Sequence, residues 1–155
     1  MITERLAQRA GFVEHLGVDH YFYAEAIRAH KPVLGLETLQ AQTDVFALDD
    51  NKGELNLRLT IENLLTCSIL LNQMATAWKT GDANGLDQLL NGDQMSEPAL
   101  YARMFGLRNQ QWLAQIEQMM RADENYLIIV GAGHLVGKNG LIAALRGRGY
   151  RVKQL

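Results

Sequence analysis

Tyr126-Leu127-Ile128-Ile129-Val130-Gly131-Ala132-Gly133-His134 is the stretch whose reading settles the expected fold. It opens with an uninterrupted apolar run rich in β-branched residues, the composition and length of a buried strand. Glycines follow at once, so a tight turn is expected, with His134 presented just past the strand's C-terminal edge. Ligand sites in open α/β sheets lie at that edge. Lys138 or Asn139 opens a helix through Leu145, Gly147 and Gly149 end it, and 151–155 returns as a strand. The unit is strand–turn–helix–strand, and the right-handed crossover rule makes its strands parallel.

Upstream, Thr3 to Ala10 reads as a short helix, and Asp19 as the N-cap of another running to about His30. Pro32 pushes Lys31 out of helical geometry and ends that helix. Pro32 to Leu36 is a short apolar segment of strand type, with Glu37 at its C-terminal end. Thr38 to Leu48 looks helical. Between Glu54 and Lys79, Leu57, Ile61, Leu64, Ser68, Leu71, Ala75 and Trp78 recur at alternating spacings of about 4 and 3, one face of a long helix. Gly81-Asp82 stops it. Ala83 to Leu90 is a shorter helix, and Pro98 starts a second long one running to about Arg121. The fold expected is α/β, with long helices packed on a small, mainly parallel sheet. No repeat or linker divides residues 1–155, which read as one domain.

Composition excludes several classes. The chain has 155 residues, 15 basic and 17 acidic, for a net charge of −2. That gives no electrostatic case for nucleic acid. Its single cysteine, Cys67, makes no intrachain disulfide and no cysteine-based zinc module. No stretch reaches the roughly 18–20 apolar residues of a membrane span. The N-terminus turns charged at once, so no signal is read in this chain, and the compartment stays unknown.

Chemistry-bearing residues are few. His134 after its glycine turn suits a metal ligand or general base; the plain alternative is a tight turn with an incidental histidine. Gly131 and Gly133 suit close backbone approach to a ligand. Glycines at 131, 133 and 137 also fit a loose dinucleotide pattern, but Val136 stands where the stricter fingerprint needs a small residue. Glu37 at a strand end could pair with His134 as metal ligand or acid–base partner; otherwise it is a helix N-terminal carboxylate meeting free amides. Arg108-Asn109 sits in mid-helix, where asparagine is not favoured, as either a turned-in polar pair or a solvated one. Gln40, Gln42 and Asp44 read as solvent-facing. His15, His20 and His30 read as structural, and Trp78, Trp112 and Cys67 as packing residues.

These pieces, in this order, resemble the TraB/GumN family, with its Tiki proteases and pheromone-shutdown proteins. The matching residues are Gly17-Val18-Asp19, then Lys31-Pro32-Val33-Leu34-Gly35-Leu36-Glu37-Thr38 with Gln42, and Trp78-Lys79-Thr80-Gly81-Asp82. Arg108-Asn109 with Trp112 follows, then Val130-Gly131-Ala132-Gly133-His134-Leu135, Gly140-Leu141 and Gly149-Tyr150-Arg151-Val152. The resemblance covers nearly the whole chain.

It implies a metal-dependent, peptidase-like hydrolase built on two G-x-x-H motifs and a glutamate, with manganese, cobalt or zinc as the divalent ion. Gly131 to His134 matches the C-terminal G-x-x-H and Glu37 the glutamate. Arg108 and Asn109 would be polar support. No other G-x-x-H occurs here, and family chains are about twice as long. The chain is therefore expected to be the C-terminal part of a longer protein, inactive and without a tightly bound metal by itself. Its expected partners are a peptide substrate and either a second copy or the missing N-terminal half, met through an exposed apolar edge near 126–130 or 32–36. Family members are often exported. The alternative reading is a non-enzymatic module that binds or sequesters a peptide or ligand.

Overall fold

The computed structural model describes residues 7–45, 68–92 and 98–155. The chain divides into two compact units, Met1–Ala75 and Thr76–Leu155. In the first, a helical turn over 7–9 precedes a 3-10 turn at Glu14–Leu16, then helix α1 (Val18–Arg28) and helix α2 (Leu39–Val45). Thr38 caps α2, its Oγ1 accepting from the backbone N–H of Ala41 at 3.1 Å. None of the first unit's described residues is buried. Gln40, Gln42 and Asp44 are exposed as expected, with Gln40 donating to Asp44 at 2.7 Å. The described part of the long periodic segment is helical over 68–80. The remainder of that segment, the N-cap at Thr3 and Cys67 lie outside the described residues.

The second unit holds every buried residue among those described. Helix α3 (Ala83–Asn91) starts where expected, because Asp82 caps it by accepting from the N–H of Gly85 at 2.9 Å. The long C-terminal helix also forms, but in three pieces: α4 (Pro98–Tyr101), a π-helical turn (Ala102–Gly106) and α5 (Leu107–Arg121). Asn109, Trp112, Leu113 and Ile116 are the buried stripe of α5. A single turn, α6 (Ala132–Leu135), and helix α7 (Leu141–Gly147) complete the unit. Leu86, Tyr101, Trp112, Leu113, Ile116 and Leu141 form its apolar core. Trp112 is 4% exposed, as its packing role requires, whereas Trp78 is 58% exposed and does not pack as expected.

The α/β expectation is corrected. Among the described residues there is no strand and no sheet, so 32–36, 126–130 and 151–155 form no β-structure. The physical reason is that a strand exists only through its ladder, and an apolar run carries no information about whether a partner backbone is present. Residues 126–130 do keep the period-2 habit of extended chain, with Ile128 and Val130 half-buried and Leu127 and Ile129 turned to solvent. Leu127 is 67% exposed and Leu34 74%, so neither run is the interior strand its composition suggested. After Gly131 the chain enters a helical turn, not a bare loop.

Four helix ends among the described residues close in one way. At Gly11, His30, Gly81 and Gly149 the backbone has positive φ, that residue's N–H bonds back three residues, and the next N–H bonds back five. This is the Schellman geometry, which satisfies carbonyls the helix leaves free. The stops expected at Gly81 and Gly149 are these. His30 is the exception, a non-glycine residue at φ 51°, and it ends α1 before Pro32 is reached.

Candidate functional site

Three of the sequence-derived residues meet inside the second unit. His134, on α6, is 6% exposed, and Asn109, on α5, is 5% exposed. The Nδ1 of His134 lies 2.7 Å from the Oδ1 of Asn109, and its Nε2 lies 3.2 Å from a guanidinium nitrogen of Arg108. The amide nitrogen of Asn109 donates to the carbonyls of His134 at 3.4 Å and of Asn139 at 3.2 Å. Those two bonds fix which end of the Asn109 amide is oxygen. Oδ1 is then an acceptor, so Nδ1 of His134 must carry the proton. Arginine only donates, so Nε2 must be the lone-pair end. Both contacts are satisfied by one species, the neutral imidazole protonated at Nδ1.

The ring is walled by aromatics. Trp112 lies 4.3 Å and Phe105 4.9 Å from it, centroid to centroid. The Arg108 guanidinium sits 4.7 Å over the Trp112 ring and also donates to the carbonyl of Met104 at 2.9 Å. The π-turn helps to explain this convergence. Its wider winding rotates the following residues relative to the preceding ones, and such turns are frequent at functional sites. It places Phe105 within reach of the histidine and Met104 within reach of Arg108. Sequence reading missed the π-turn and missed Phe105 as a ring wall; glycine at 106 inside a helical pattern was the available signal.

Gly131 is the N-cap of α6, and its backbone runs close to the imidazole, since a Cβ there would meet His134 Cδ2 at 3.8 Å. Gly133 is buried, and a Cβ there would meet the Phe105 ring at 2.8 Å. Its close approach is to an aromatic side chain. Asn91, at the end of α3, was also missed. It is 2% exposed and donates to Asp87 at 2.8 Å and to the carbonyl of Gly133 at 3.5 Å. A terminal helix asparagine has no pattern that marks it as buried.

Glu37 stands half-buried in a bend ahead of α2, in the first unit. His15, His20 and His30 are exposed. Among the described residues, the donors around His134 do not suit a divalent ion by themselves. Asn109 and Asn91 are neutral, Arg108 is cationic, and a metal site needs three or more good donors. Among the described residues, no three of His, Cys, Asp and Glu gather together.

The geometry defines a helical protein with a neutral, pre-oriented imidazole at the centre of its core. The chain belongs to the TraB/PrgY/gumN family, whose model matches residues 1–154. It is similar to the uncharacterized protein YbaP of Escherichia coli (strain K12), 29% identical over 140 residues, which are 90% of this chain and 52% of that protein. The protein of the same name in Shigella flexneri matches to the same extent. The chain thus spans about half the length of these curated relatives. No solved structure gives a significant match. No helix among the described residues is long and apolar enough to cross a membrane.

Proposed function

We propose that this chain carries one imidazole of a hydrolytic site that also needs groups from the rest of a longer protein, and that alone it is inactive. The observation that carries the reading is the tautomer of His134. A histidine that serves as a ligand or general base keeps its other ring nitrogen protonated and bonded to a fixed acceptor. Asn109 is that acceptor. The lone pair at Nε2 faces the Arg108 guanidinium, which holds that nitrogen as an acceptor.

Asn109 holds the proton at Nδ1 and orients the ring, while Trp112 and Phe105 exclude water from its faces. Arg108 occupies the acceptor nitrogen and would have to withdraw before His134 could take a proton or a ligand. Glu37 is proposed separately as a functional carboxylate of the longer protein. Manganese, cobalt or zinc would supply Lewis acidity and an activated water in such a site. The described donors around His134 are fewer than such an ion needs, so the reading draws its other ligands from elsewhere in the longer protein.

The test uses a protein of the relatives' length that contains this chain. Peptide hydrolysis should be lost with chelator, return with divalent ion, and fall by at least about 100-fold in His134→Ala and Glu37→Gln. The 155-residue chain should show none. Unchanged hydrolysis in His134→Ala would overturn the reading.

A further inference from the structure

The ring of His134 is held by groups that are costly to move and covered by one that is not. Asn109 is buried and grips Nδ1 at 2.7 Å. Trp112, also buried, packs on the ring at 4.3 Å and Phe105 at 4.9 Å, centroid to centroid. At Nε2 the ring meets Arg108 at 3.2 Å, and Arg108 is half-buried. The cover over Nε2 therefore reaches solvent, while the ring beneath it is 6% exposed.

Arg108 can leave without breaking the Asn109 grip. Two of its anchors, the Met104 carbonyl at 2.9 Å and the Trp112 face at 4.7 Å, lie on the same helical stretch as Arg108 itself. Its five N–H donors sit on a flexible stem and can turn to water and stay satisfied. Moving the imidazole instead would pull a ring N–H off Asn109 and out of packed aromatics. The bond to Nε2 joins a charged donor to a neutral acceptor, and such bonds are worth roughly 10- to 100-fold in an equilibrium.

We infer that Arg108 is a gate on His134. With the guanidinium on Nε2, as here, the imidazole is oriented but shut. With the guanidinium turned away, Nε2 is open to a ligand or an electrophile. The inference rests on the reading of Nε2 as the working nitrogen, but its test involves no hydrolysis, so the two fail separately.

The experiment treats the 155-residue chain at neutral pH with diethyl pyrocarbonate, which acylates a bare imidazole nitrogen, and follows each histidine by peptide mass spectrometry. The exposed His15, His20 and His30 are internal standards. His134 should react at least about tenfold more slowly than they do. In Arg108→Met, which keeps an apolar stem against Trp112, the His134 rate should rise at least about tenfold while the standards keep theirs. Ile116→Ala is the control for looser packing, because it opens a cavity in the core and leaves Arg108 in place. It should raise the His134 rate less than Arg108→Met does. The inference is overturned if His134 of the unaltered chain reacts as fast as the standards, or if Arg108→Met leaves its rate unchanged. It is overturned equally if Ile116→Ala raises that rate as much as Arg108→Met, since the ring is then reached by unfolding.

Discussion

The Oδ1 of Asn109 accepts from the Nδ1 of His134 at 2.7 Å while the same side chain's nitrogen donates to the His134 carbonyl at 3.4 Å. One asparagine therefore grips both the imidazole and the backbone that carries it. A ring held this way has one tautomer and one orientation, which is what a general base or metal ligand requires. It also ties α5 to the loop after α6, through the Asn139 carbonyl.

Truncating that asparagine should be costly. Asn109→Ala removes the bonds that Asn109 makes to a buried ring N–H and to two carbonyls. Urea denaturation should show a loss of about 2–3 kcal/mol, more than a surface substitution gives. A change under about half a kcal/mol would mean the contacts are not made in solution.

Gly133 is expected to tolerate no side chain. Gly133→Ala drives a methyl group into the Phe105 ring and should cost about 1–3 kcal/mol. Phe105→Leu placed in the same chain should recover part of the loss, and a double-mutant cycle measures this coupling. Simple additivity would show that Phe105 is not what Gly133 accommodates.

His30 occupies a position that the other three helix ends of this kind give to glycine. His30→Gly should stabilise the protein by up to about 1 kcal/mol, and Gly149→Ala should destabilise it by about the same amount. Thermal unfolding of the two variants should therefore move in opposite directions.

Tyr126 should titrate above an ordinary tyrosine. Its hydroxyl donates to the Glu124 carboxylate at 2.9 Å, and that bond, then some desolvation, then the carboxylate's charge, all disfavour the phenolate. A raised pKa in the folded state means that the folded chain holds this proton more tightly than the unfolded one. The contribution is full below the unfolded value and is lost as pH rises through the folded one. Ultraviolet titration of Glu124→Gln should bring the tyrosine back toward its normal range.

Much of the helical layout was legible. Pro98, Asp82, Gly81 and Gly149 are local signals, and each acts where it was read because capping depends on neighbouring residues alone. The strands were not legible. Tyr126 to Val130 has the composition of a strand, yet its partner, if any, is a non-local fact that periodicity does not encode. Asp19 reads as an N-cap, but α1 begins two residues earlier than such a cap would give, with Gly17 at the cap and no side-chain bond.

At the site, His134, Arg108 and Asn109 were each visible for separate reasons: a glycine turn, and a polar pair in mid-helix. Their meeting was not visible, because it depends on the π-turn, which has no strong sequence pattern. Trp112 was read as a packing residue, and it packs, with the histidine ring as its neighbour.

The most direct test of the central claim is the protonation of the His134 ring, read from its two nitrogen shifts in a long-range proton–nitrogen NMR spectrum of the 155-residue chain at neutral pH. The account predicts a protonated Nδ1 and a bare Nε2, both moving in Asn109→Ala. A ring protonated at Nε2, or at both nitrogens, would contradict it.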